Sequence, residues 1–250
     1  MRYDGPMSGQ AVSVAQLRRE IRAKGNEAIA EHSRRFFKTG KGEYGEGDRF
    51  LGIRVPVVRR FVREHRDLPV DRILSFVRST YHEERLFGIF SLVDRYKRGG
   101  EEQRARIYEI YLDHLEYVNN WDLIDGSAHW IVGPQLQDRS RKFLYDLTKS
   151  KNLWRRRIAI MSTYHYIRQR DFEDTLKIAR ILRDDPQDLI HKAVGWMLRE
   201  VGNRDRKAEE AFLQKHYKKM PRTMLRYAIE KLPERRRKAY LNGHAPPLSS

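Results

Sequence analysis

Apolar residues recur along this chain three and four places apart, and no run alternates apolar with polar in the manner of a half-buried strand. The spacing predicts a helix from Ser13 to Gly25 and a second over Glu27 to Phe37. A glycine-rich loop, Lys38 to Asp48, then leads to a helix with Pro56 in its first turn. Further helices are expected over Val70 to Thr80, Glu83 to Tyr96, Glu101 to Tyr117, Asn120 to Val132, Arg139 to Lys149, Leu153 to Arg168, Phe172 to Arg183, Leu189 to Gly202, Arg206 to Lys218 and Arg222 to Leu232. Residues 1–12 and 241–250 lack the pattern and read as tails, with Met7 an alternative start; residues 13–240 read as one all-α domain.

The helices come in pairs. The second of each pair carries a polar residue followed two places later by one that can pack: Arg85 and Phe87, Asp125 and Ser127, Arg157 and Ala159, Lys192 and Val194, Arg226 and Ala228. The intervals between these polar residues are 40, 32, 35 and 34. Helix pairs at such a period must bury their apolar faces against their neighbours, which predicts a curved stack with the second helices lining its concave side. Four of the five marked positions are basic and one is Asp125, so the expected groove is positive with a single carboxylate in its floor.

Composition supports a groove for a polyanion. The chain has 250 residues, 51 Lys and Arg against 34 Asp and Glu, and a net charge of +17. Residues 139–170 hold ten basic side chains and one acid, and residues 206–238 hold twelve and four; residues 101–138 run the other way, with two basic and eight acidic. An acidic strip beside basic ones fits flanking helices that hold phosphates while this one addresses something cationic. No segment approaches the ~20 apolar residues of a membrane span, and no apolar leader opens the chain. Cysteine is absent, which removes thiol catalysis, disulfides and Cys-ligated zinc and suits a cytoplasmic, nucleoid-associated protein.

The acidic strip contains Val118 to Gly133, where an Asn cap opens a helix that Gly133 and Pro134 are expected to stop. On a continuous helix Leu123, Ile124, Ser127, Trp130 and Ile131 share one side, and Trp121 and Asp125 lie roughly 110 to 150° from its centre. An indole and a carboxylate then share a face that the core does not claim. The same count puts Ile190, Val194, Met197, Leu198 and Val201 inward and turns Trp196 outward, roughly 140° away. Arg157 sits among Leu153, Trp154, Ile160, Met161 and Tyr164, so its head group must find an anion, either a phosphate or the Asp125 carboxylate. His165 has no second His at a ligand spacing and reads as an interior group.

Asn119-Asn120-Trp121-Asp122-Leu123-Ile124-Asp125 resembles the signature of the AlkD-like DNA alkylation repair glycosylases, enzymes built of HEAT-like helical repeats. Three further elements resemble the family: Phe50 to Pro56 followed by Arg59 and Arg60, the arginine-bearing helix Trp154 to Ile160, and His191 to Glu200 around Trp196. The resemblance implies a HEAT-like superhelical stack. It implies a monofunctional glycosylase that hydrolyses the N-glycosidic bond of N3- or N7-alkylated purines, such as 3-methyladenine and 7-methylguanine, in double-stranded DNA without flipping the base. Asp125, Trp121 and Trp196 would be catalytic, while Arg157, with Arg85, Arg156, Lys192 and Arg226, would hold the DNA. No metal or cofactor is expected, and a monomer is.

One carboxylate suits that chemistry. Ordinary glycosidases pair two, one to protonate the leaving group. A purine alkylated at N3 or N7 already carries positive charge and leaves neutral, so only the cation developing on the deoxyribose needs stabilising. Indole faces add cation–π attraction. Two other readings need only the surface: a non-catalytic repeat module binding damaged or branched DNA, and a scaffold for RNA or protein.

Overall fold

The computed structural model describes residues 12–245 and residue 247; the reading of residues 1–11 as a tail, the alternative start at Met7, and residues 246 and 248–250 lie outside them. The described chain is helical, with one isolated β-bridge between Arg49 and Tyr81. Its contacts divide into two compact units, one ending at Asp94 and one beginning at Arg95.

The first unit holds α1 (Val14–Arg22), α2 (Glu27–Phe36), α3 (Val55–Glu64), α4 (Val70–Val77) and most of α5 (His82–Arg98). Ser13 and Asn26 cap α1 and α2 through bonds from the Gln16 and Ile29 N–H groups. The Phe50 to Ile53 entry is tied down by Glu83, whose carboxylate accepts the Leu51, Gly52 and Ile53 N–H groups at 2.8, 2.8 and 3.1 Å. Gly52 has φ +76°, and a Cβ there would stand 2.0 Å from the Asn26 carbonyl, so only glycine fits. The preceding glycine loop ends on Asp48, which binds His82 at 2.9 Å and Arg85 at 2.6 Å inside the unit.

The second unit continues with α6 (Glu101–Asp113), α7 (Trp121–Asp125), α8 (Ala128–Gln135), α9 (Lys142–Thr148), α10 (Leu153–Ser162), α11 (Tyr164–Ile167), α12 (Glu173–Ile181), α13 (Asp188–Gly202), α14 (Arg206–His216), α15 (Arg222–Ala228) and α16 (Glu234–Leu241). The last of these, over the basic run at Arg235, is a helix the apolar pattern did not announce. α10 packs against α7 and α8 on one side and α13 on the other, and α13 packs on α15.

The expected single helix over Asn120 to Val132 is two. Ser127 turns its hydroxyl back to the Leu123 carbonyl at 2.6 Å, so its own N–H bonds to Ile124 instead, and its backbone (φ −133°, ψ −44°) breaks the ladder. The buried Tyr111 hydroxyl donates to the same Ser127 oxygen at 2.8 Å. Nor do Gly133 and Pro134 stop α8, which runs on to Gln135. Gly133 gives the proline ring room and lets α8 approach α10 and α11; a Cβ there would stand 2.6 Å from the Ser162 carbonyl and from His165 Cβ.

Candidate active site

Asp125 is the last residue of α7, and Asn120 sets that helix's start by accepting the Trp121 N–H at 2.8 Å. Trp121 and Asp125 are one turn apart and both half-buried, while Leu123 and Ile124 between them are fully buried. The expected shared face therefore exists on this short segment.

Arg157 emerges from the middle of α10, where every neighbour from Ile158 to Ser162 is buried. A guanidinium so placed needs an anion. It donates from Nε to Asp125 Oδ1 at 2.9 Å and from Nη2 to Oδ2 at 2.8 Å, and its Nη1 donates to the Leu189 carbonyl at 2.6 Å. All three nitrogens are engaged and the side chain is 5% exposed, so Arg157 is the carboxylate's partner and not a phosphate anchor. The Asp125 side chain keeps 14% exposure. Burial pushes this carboxyl above its ordinary value, and Arg157 opposes that push by charge and hydrogen bonding.

Trp196 lies on α13 seven residues, about two turns, beyond Leu189. Half-buried, it donates from Nε1 to Glu200 at 3.3 Å, and Glu200 is paired with Arg204 at 2.8 Å. α10 thus carries one arginine that ties the helix bearing Trp121 and Asp125 to the helix bearing Trp196.

The remaining expected DNA contacts divide. Arg156 is buried against Asp185 at 2.5 Å and donates to the Ser150 and Lys151 carbonyls at 2.8 and 3.0 Å. Arg85 is buried against Asp48 and the Ser79 carbonyl. The expected DNA contacts are corrected at these positions and at Arg157, because the packed helices bring an internal carboxylate to each buried guanidinium. Lys192 is partly exposed and paired with Asp188 at 2.9 Å, and Arg226 is exposed on α15.

Trp130, expected inward, is half-buried instead, since the break at Ser127 resets the angular count. Lys97 Nζ stands 3.2 Å and Arg168 Cζ 4.4 Å from its ring centroid. His129 packs on both Trp130 and Tyr164, and burial holds its imidazole at about 3, with Arg168 and Lys97 adding to the depression, so it is neutral at neutral pH. The continuous-helix count concealed this cluster; Gly126, which caps the end of α7, and the Ser127 hydroxyl were the sequence signals of a break. Among the described residues no group of three His, Asp or Glu is arranged to hold a metal ion, and no helix is long and apolar enough to cross a membrane.

Paired helices stacked through α10 and α13, with one carboxylate locked to a buried arginine in a strongly basic chain, define a helical-repeat protein with a built polar centre. The chain belongs to the DNA alkylation repair enzyme family, whose model matches residues 17–232. It shares its fold with a solved structure described as a predicted DNA alkylation repair enzyme from Enterococcus faecalis, at TM-score 0.63 and 16% identity over 84% of this chain and 98% of that one. Among curated proteins there is no match. The protein is accordingly a DNA repair enzyme, and DNA is its partner.

Proposed function

We propose that the enzyme is a monofunctional DNA glycosylase that hydrolyses the N-glycosidic bond of cationic N3- or N7-alkylated purines in duplex DNA, with Asp125 at the reaction centre. The observation that carries this reading is the Asp125 carboxylate itself, clamped on both oxygens by Arg157 on a side chain that keeps 14% exposure. Arg157 favours the ionised form against burial, and an ionised carboxylate in a poorly solvated site acts strongly on a nearby cation.

In the reaction the C1′–N bond breaks with its electron pair going to the base, which cancels the base's positive charge. The sugar takes up that charge, spread over C1′ and the ring oxygen, facing Asp125. Water then adds to C1′ and its proton passes to the carboxylate or to solvent. Trp121 and Trp196, half-buried on the helices flanking α10, offer ring faces to the sugar. The lesion base needs no pocket on this reading and stays in the duplex.

Purified enzyme incubated with methylated duplex DNA should release methylpurine, identified by chromatography. Asp125→Asn should lower the single-turnover rate about a hundredfold or more, with affinity for unmodified duplex nearly unchanged. Release that survives the substitution sinks this assignment. Binding by the wild type with no release at all points to a non-catalytic module for damaged DNA.

A further inference from the structure

With Arg157, Arg156 and Arg85 all committed to internal carboxylates, the DNA backbone loses three expected anchors. Another set of cations lies on the second unit. From the end of α5 to the end of α13, Lys97, Trp130, Arg168, Tyr164 and Arg204 form a continuous ladder of cations on aromatic faces. Lys97 and Arg168 stand over Trp130, and Arg168 and Arg204 each stand 5.5 Å from the Tyr164 centroid. His129 fills the angle between the two rings, with centroid distances of 4.8 and 5.3 Å.

We propose that this ladder binds consecutive phosphodiesters of duplex DNA, with the Arg168–Arg204 fork over Tyr164 taking one phosphate and Lys97 beside Trp130 taking a neighbouring one.

Two guanidinium groups over one ring repel each other, and a phosphate between them relieves that repulsion. Burial lowers the Arg168 guanidinium from its usual value, Tyr164 opposes this, and the charge of Arg204 adds to it. The aromatic rings restrict where the cations sit, so less side-chain freedom is lost when an anion arrives. Arg204 is fixed further by Glu200, and its carbonyl accepts a bond from Arg170 at 2.8 Å. A duplex backbone supplies a run of anions to such a row of cations, which a lone small anion does not.

The ladder adjoins the reaction centre at both ends of its middle section. His129 faces the Asp125 carbonyl, and Glu200 links Arg204 to the Trp196 indole. A backbone held here passes beside Asp125. That last placement rests on Asp125 being the reaction centre, whereas the binding itself does not.

The test is the salt dependence of affinity for an unmodified duplex, followed by fluorescence anisotropy. Lys97→Gln, an exposed lysine whose loss should leave the fold intact, lowers the slope of log K against log salt by about 0.9. Combining it with Arg168→Gln and Arg204→Gln lowers the slope by about 2 to 3 and weakens binding at least tenfold. Arg168→Lys with Arg204→Lys retains the wild-type slope. A charge-matched control at exposed positions before α15, between α15 and α16, and on α16, Lys218→Gln, Lys231→Gln and Arg235→Gln, changes the slope less. The proposal is overturned if the ladder variants leave the slope alone, if the control lowers it equally, or if single-stranded RNA proves the preferred ligand. Because the duplex carries no lesion, a ladder that passes while base release fails leaves the binding assignment standing, and the converse leaves only the glycosylase.

Discussion

Arg157 meets Asp125 edge to edge, in two parallel hydrogen bonds of 2.9 and 2.8 Å across 32 residues of sequence. On the proposed mechanism the pair sets the acid limit of base release. Burial raises the Asp125 carboxyl above its ordinary 3.8 and Arg157 pulls it back. The proposed chemistry needs the ionised form, so base release should decline as pH falls through a value above 3.8. Arg157→Gln removes the opposing charge and should move that limb to higher pH. Single-turnover release across the acid range checks both; an unmoved limb in the variant would mean that another group sets it.

The Ser127 hydroxyl receives Tyr111 and donates to Leu123 at the break before α8. Tyr111→Phe removes one neutral bond and should cost about 1 kcal/mol. Ser127→Ala strands a fully buried phenol hydroxyl and should cost about 1 to 3 kcal/mol, while allowing α7 and α8 to fuse and turn Asp125. Urea denaturation orders the two, and only the serine variant should also slow base release beyond its effect on stability.

Arg85 and Asp48 are 5% and 7% exposed, so this arginine acts on the fold. Arg85→Met takes the guanidinium from the buried Asp48 carboxylate and should destabilise by about 3 kcal/mol or more, with the salt slope of DNA binding unaltered. Arg226→Gln, on the exposed face of α15, should do the opposite: an unchanged melting temperature and a slope lower by about 0.9 if it meets a phosphate. Melting curves beside binding isotherms distinguish the two kinds of arginine.

Glu209 is 3% exposed on α14, its Oε1 has no hydrogen-bond partner, and burial with the neighbouring Glu210 pushes its carboxyl up to about 8. The folded chain keeps the proton where the unfolded chain, near 4.5, has lost it. Its contribution to stability is thus complete below 4.5 and disappears as pH rises toward about 8. Glu209→Gln should melt higher than the wild type at pH near 8 and alike in acid; a difference in melting temperature that is the same at every pH would show that the Glu209 carboxyl titrates alike in the folded and unfolded chain.

The amphipathic spacing determined the helical class, most helix positions and the α7 face shared by Trp121 and Asp125, because local periodicity decides which residues a helix can bury. The resemblance found the family for the same reason: its motifs are short and local. What sequence left open was the destination of each charge. Arg157 had a phosphate and a carboxylate before it, and the choice fell to Asp125 only when α10 packed against α7. Arg85 and Arg156 read as surface cations until their carboxylates, 37 and 29 residues away, closed on them inside the protein. Trp130 read as core until one serine hydroxyl broke the helix. Periodicity is a property of neighbours along the chain, whereas a buried guanidinium is placed by whichever anion the packed helices bring within about 3 Å, and that distance exists only in the folded molecule.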